Sequence, residues 1–191
     1  MVCLASAAPA AAQAWSIEPR LGVAAPSALY DDPGVAGLDP IEISAAAAPE
    51  LGVAVRTVLD ARWMLEAELH YAPGRLRASD ADGDRTVSDL NVLGGAVLVR
   101  RTLGRVEAVA GAGALKYDAP DGRAWEDGAS LLPAARLGLA VPIMLGGRRA
   151  RVEATARVHR HQTTLLEAAG TDAATLVRLG AHVALELGGA R

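Results

Sequence analysis

From Trp15 onward, apolar and polar positions alternate with a period of two. Between Arg149 and His161, the residues Ala150, Val152, Ala154, Ala156 and Val158 interleave strictly with Arg149, Arg151, Glu153, Thr155, Arg157, His159 and His161. A helix would scatter both sets around its circumference, whereas a strand gives each set its own face. The same rhythm runs through 15–23, 51–59, 63–71, 131–143 and 177–187. Two Gly/Ala-rich segments, about 87–100 and 105–117, read as strands whose facing is ambiguous, with Asp89 and Asn91 on the expected polar side of the first. The pattern predicts eight strands.

The connections alternate as well. Asp60-Ala61, the region from Arg101 to Gly104, and Leu145 to Arg148 with its Gly146-Gly147 pair are tight-turn signals. The intervening connections, about 25–49, 72–86, 118–129 and 162–174, are long and polar. Short turns thus gather on one rim and long loops on the other, the arrangement of an up-and-down antiparallel barrel.

Residue size suggests which face is inside. The polar faces mix Gly22, Gly52, Ala54, Gly138, Ala140, Gly180 and Ala184 with long charged side chains, which suits a narrow lumen that must be filled without overcrowding. The polar side holds Glu18, Glu66, Glu68, Asp89, Glu153 and Glu186 against Arg20, Arg56, Arg136, Arg151, Arg157 and Arg178, six of each sign. An enclosed ion without a partner costs several kcal/mol, so a filled lumen must stay close to neutral. His159 and His182 share this face and complete the expected polar network, as do His70 and His161. Trp15, Trp63 and Tyr71 stand on the apolar face as girdle candidates. The eight steps from Trp63 to Tyr71 rise about 20 Å in a strand tilted by about 40°. The rival arrangement is a soluble lipocalin-like container with the aliphatic face inward and a small apolar ligand inside.

Composition removes other classes. A chain that is 51% hydrophobic is not disordered, and no uncharged apolar run after the N-terminus approaches the ~18–20 residues of a helical span. A net charge of -3 argues against a nucleic-acid partner. Residues 1–14, MVCLASAAPAAAQA, are uncharged and close on Ala12-Gln13-Ala14, so they read as an export signal shortened at its start. The single cysteine, Cys3, falls within that signal, which leaves the mature part without thiol chemistry.

The exported N-terminus, the opening WSIEPRLGVA, the eight alternating segments, the glycine-rich stretch VAGAGALKY at 109–117 and the loop rhythm together resemble the small eight-stranded outer-membrane β-barrels of Gram-negative bacteria, typified by the transmembrane domain of outer-membrane protein A. The resemblance implies a monomer in the outer membrane with periplasmic termini. It implies outer-membrane lipid and the assembly machinery as partners, an external ligand of the long loops, and no cofactor. The role expected is structural or loop-mediated, in a porin-like wall with a filled lumen, and without catalysis.

Some such barrels are lipid A deacylases, with a His, a Ser two residues on and a supporting Glu. His161, Thr163 and Glu167 are loosely similar to that set, with Thr164 where an Asn usually follows. Asp80, Asp82 and Asp84 resemble half a calcium loop, but Asn91 replaces the twelfth-position Glu, so they read as a solvated loop tip, as do Asp118, Asp121, Glu126 and Asp127. No metal site is expected, and Tyr30 and Trp125 are the aromatic anchors of the loops.

Overall fold

A computed structural model describes residues 15–32, 41–118, 131–161 and 174–188. Its strands are β1 (Trp15–Pro26), β2 (Ala28–Asp32), β3 (Ile41–Ala45), β4 (Ala48–Val58), β5 (Trp63–Ala72) and β6 (Arg75–Asp80). They continue as β7 (Gly83–Asp89), β8 (Asn91–Leu103), β9 (Val106–Asp118), β10 (Leu132–Leu145), β11 (Arg148–His161) and β12 (Ala174–Leu185). Eight of them close an antiparallel barrel in the order β1-β12-β11-β10-β9-β8-β5-β4. The seam is β1, where Arg20 lies opposite Ala184 of β12 on one side and Gly52 of β4 on the other.

The short turns obey the chain's local chemistry. Asp60 Oδ1 accepts the backbone N–H groups of Arg62 and Trp63 at 2.7 and 2.9 Å and turns β4 into β5. Gly146 and Gly147 carry φ of +57° and +78°, the left-handed pair that a two-residue hairpin between β10 and β11 demands.

Facing follows the arginines. Leu51, Val53, Val55 and Val152 are 53, 41, 49 and 46% exposed and project outward with Ala154, while Arg56, Arg136, Arg151 and Arg157 turn toward the axis and are buried. The lipocalin-like container is therefore excluded, since its aliphatic residues would have to line the inside.

Two expectations need correction. The connections at 25–49 and 72–86 do not run as plain polar loops. They carry β2, β3, β6 and β7, which pair as a second, four-stranded sheet in the order β2-β3-β6-β7 at the long-loop rim. These strands are only five to seven residues long, too short for an alternation to stand out from the loop around it; in β6 only Leu76 and Ala78 are buried. The SDADGD run is the tip of the β6–β7 hairpin, where Asp80 accepts the Asp82 N–H at 3.0 Å and pairs with Arg85 at 3.0 Å. Asp121, Glu126 and Asp127 lie outside the described residues, and so does Trp125.

The second correction concerns Asp89 and Asn91, which were placed on the lumen side. Asp89 is exposed at the end of β7, and Asn91 takes the outer face, where the Tyr71 hydroxyl donates to its Oδ1 at 3.1 Å. The inward partners in this stretch are Leu90 and Val92, 1 and 2% exposed. Polarity inverts here because the loop-side end of the lumen is apolar: Ala72, Leu76, Leu90, Val92, Leu115, Tyr117 and Leu176 form one buried cluster. The rule that polar residues face inward holds for the lower part of the barrel and fails at its top.

An arginine at position 53, mid-strand on the outer face, should lower stability by about 2–4 kcal/mol, the cost of a cation on the lipid side at the midplane. Urea unfolding of Val53→Arg from lipid vesicles measures it; Val53→Leu should stay within about 0.5 kcal/mol of the parent protein.

Candidate functional site

Among the described residues the lumen holds seven arginines and seven glutamates in stacked tiers. At the short-turn end, Arg56 sits between Glu18 at 3.1 Å and Glu186 at 3.0 Å. Arg151 binds Glu18 and approaches Glu107 at 3.7 Å. One step up, Arg100 has no exposed surface; its Nε donates to Glu66 at 2.6 Å, while its two terminal nitrogens reach Glu107 at 3.4 Å and Glu153. Arg20 bridges Glu66 at 2.5 Å and Glu68 at 2.7 Å, and Arg136 bridges Glu153 at 2.5 Å and Glu68.

The next tier is a clamp. Arg157 donates both terminal nitrogens to Glu50 at 2.8 and 2.7 Å, a bidentate geometry, and His182 Nε2 donates to the same carboxylate at 2.8 Å. The His70 ring lies against Gly94 so closely that a Cβ there would overlap it, and the His182 ring occupies the space left by Gly22 and Gly180 in the same way. Above them Tyr117 and His159 share a hydrogen bond of 2.9 Å, Arg178 reaches the Tyr117 hydroxyl, and the apolar cluster closes the column.

Strand parity explains this convergence. Residues two apart on one strand enter the lumen at successive levels, so Glu66, Glu68 and His70 of β5 supply three tiers, as do Arg151, Glu153 and Arg157 of β11. The arrangement neutralises charge along the axis; such pairs are costly to break, because a survivor is left unpaired. No group of three metal-ligating side chains occurs among the described residues.

All of Glu18, Arg20, Arg56, Glu66, Glu68, Arg136, Arg151, Glu153, Arg157, His159, Arg178 and His182 are buried on the inner side, with Glu186 half-buried at the short-turn mouth. Glu50, Arg100 and Glu107 escaped sequence reasoning. Glu50 is in phase with Gly52, Ala54 and Arg56, so extending that alternation by one step finds it. Arg100 hid beside Arg101, its outward neighbour, and Glu107 beside a run of small residues that gives no facing signal. Trp15, Trp63 and Tyr71 lie on the outer face, at 59, 38 and 41% exposure, whereas Tyr117 is inside. Thr163 and Glu167 of the deacylase-like set fall outside the described residues, as does the side chain of His161.

At the short-turn end the column opens into a vestibule of about 1360 Å³ lined by Arg56, Arg62, Arg148, Arg149, Arg151 and Glu107 among others.

No family model matches the sequence, and no curated protein matches it. Solved structures do resemble the fold. The solid-state NMR structure of outer membrane protein AlkL in DMPC lipid bilayers aligns over 99% of this chain and 95% of that one, at 13% identity and a TM-score of 0.50. Outer membrane protein OprG from Pseudomonas aeruginosa aligns over 92% of this chain and 97% of its own at 12% identity and a TM-score of 0.47. Ail, the attachment invasion locus protein of Yersinia pestis, aligns over 92 and 99% at 8% identity and a TM-score of 0.45. At these identities the likeness is one of fold: this chain has the architecture of a small eight-stranded outer-membrane β-barrel.

Replacing Arg100 by Met leaves Glu66 with Arg20 and Glu153 with Arg136 but removes one cation from a balanced column, and should destabilise the barrel by about 3–5 kcal/mol. Adding Glu66→Gln should recover part of that loss, so unfolding of the single and double variants in detergent micelles should show a coupling energy well above additivity.

Proposed function

We propose that this protein is a monomeric, non-conducting and non-catalytic barrel of the Gram-negative outer membrane, with a role in envelope structure or in binding through its long-loop rim. The observation that carries the reading is the lumen: ion pairs fill its lower part from the short-turn mouth to Arg157, and an apolar cluster seals its upper end. Eight strands enclose room for side chains and little more, and here the side chains use it.

In this reading residues 1–14 are the export leader and both ends of the mature barrel face the periplasm. The short turns are periplasmic and the β2-β3-β6-β7 sheet stands outside. Trp15 and Trp63 mark the inner membrane–water boundary and Tyr71 the outer one. The apolar outer wall meets membrane lipid, the chain is inserted by the outer-membrane assembly machinery, and any external ligand is taken by the loops and their sheet. No cofactor is involved.

Two measurements test this. After cell fractionation the protein should pellet with outer membranes and migrate faster on a detergent gel when unheated; recovery in the soluble periplasm would overturn the reading. In planar bilayers the purified barrel should give no sustained conductance steps, and reproducible ones would show that the ion-pair column is a pore lining.

A further inference from the structure

We propose that the outer wall carries a site for an anionic phospholipid of the leaflet that meets the short turns, with an acyl chain along the β8–β10 wall and the phosphate on Arg101. The inference rests on the membrane reading above and adds a specific lipid to it.

The first observation is a trough in the wall. A groove of about 690 Å³ lies on the outside of the barrel across β8 to β11, with the small Ala108 and Ala110 of β9 and Ala154 and Ala156 of β11 set among the larger Val99, Leu137 and Leu139. Register makes it so: Ala110 stands between Val99 and Leu137, and Ala108 between Arg101 and Leu139. The two β9 methyl groups thus lie between taller neighbours on both flanks. In hydrocarbon, a concave apolar strip is filled by a chain of methylenes.

The second observation is charge at one end only. Arg101 closes the trough on its short-turn side, with its guanidinium 5.2 Å from the centre of the Trp63 ring. Stacking on an indole fixes the plane of the guanidinium and leaves its N–H edge free for the bidentate contact that phosphate oxygens accept.

Around the same rim stand Arg62, Arg105, Arg148 and Arg149, all exposed. Of the three carboxylates nearby, Glu107 pairs with Arg100 and Arg151 and Glu186 with Arg56 at 3.0 Å, which leaves Asp60, held by the turn backbone at 2.7 and 2.9 Å, as the counter-charge. At the opposite rim, among the described residues, the two signs mix: Arg75 pairs with Asp89 at 3.8 Å and Arg85 with Asp80 at 3.0 Å, and Asp82, Asp84 and Asp118 are exposed beside them. The trough therefore ends in a collar where exposed arginines outnumber the carboxylates left to pair with them, which favours an anionic lipid over a zwitterionic one.

Trp63 lies at the site and reports on it. Of the three tryptophans, Trp15 and Trp125 are replaced by Phe, and the full chain is inserted into vesicles of phosphatidylcholine with a minor fraction of phosphatidylglycerol, either lipid carrying brominated acyl chains. Brominated phosphatidylglycerol should quench Trp63 with about five-fold higher apparent affinity than brominated phosphatidylcholine, the preference one arginine near an anionic surface confers. Arg101→Gln should abolish that preference, and Ala110→Leu, which fills the trough, should weaken quenching by both lipids.

Arg149→Gln removes an equal charge from the vestibule side of the rim and should leave the preference intact; if it acts like Arg101→Gln, the collar is a diffuse field and the site is refuted. Equal quenching by the two lipids also refutes it, as does efficient cross-linking of Ala110→Cys barrels to each other, which would make the trough a contact between copies. A chain that does not acquire heat-modifiable migration in vesicles overturns the membrane reading itself, an outcome distinct from insertion without lipid preference.

Discussion

Arg100 lies at the centre of the barrel with no solvent-exposed surface and three glutamates within reach. An ion held there alone would cost several kcal/mol, and the same is true of each arginine and carboxylate along the axis. Neutrality within a narrow bore is thus the constraint from which the other features of the wall follow. It forces the long charged side chains of opposite strands to interdigitate, so neighbouring inward positions have to be small. Hence Gly94 beneath His70, and Gly22 and Gly180 beside His182, where any side chain would displace a ring. The outer face is the complement of that choice: once the long charged set is spent on the axis, the perimeter is left mostly to aliphatic residues, with Trp15, Trp63 and Tyr71 toward its ends.

The column does not extend to the top. Above Arg157 and His182 the lumen changes character, with Tyr117 as the hinge between regimes: its hydroxyl joins His159 and Arg178, while its ring belongs to the apolar cluster. Leu76 of β6 enters the same cluster and Leu90 follows β7, so the outer sheet is fastened to the barrel by apolar burial. Fully burying a leucine contributes about 1.5–3 kcal/mol, which explains how a polar sheet with little core of its own holds a defined position.

The barrel was legible in the sequence wherever one face met a uniform environment. On β1, β4, β5, β11 and β12, hydrocarbon-facing and lumen-facing residues differ so strongly that alternation alone assigns both. Legibility failed where that contrast vanished. On β9 the outer residues are alanines and the inner ones include Gly111 and Gly113, so both faces read as small and neutral. Near Asp89 and Asn91 the rule inverted, because the lumen there is apolar and the outside is wet. The tiers themselves could not be foreseen: pattern gives the face of Glu50 or Arg157, but their meeting depends on the register of strands 107 residues apart.

The axis is packed with ion pairs that share partners. Opening a conduit through the middle would require several pairs to separate together, because Glu66 serves both Arg20 and Arg100, and Glu153 serves both Arg100 and Arg136. Shared partners couple these contacts, so the tiers yield as a unit or not at all. What can vary independently is the arginine-lined vestibule and collar at one end, the hairpins of the outer sheet at the other, and the shape of the wall between. Substitutions at the exposed rim arginines Arg62, Arg148 and Arg149, in the outer hairpins or on the wall leave axial neutrality untouched, and that independence separates the surface chemistry from the fold.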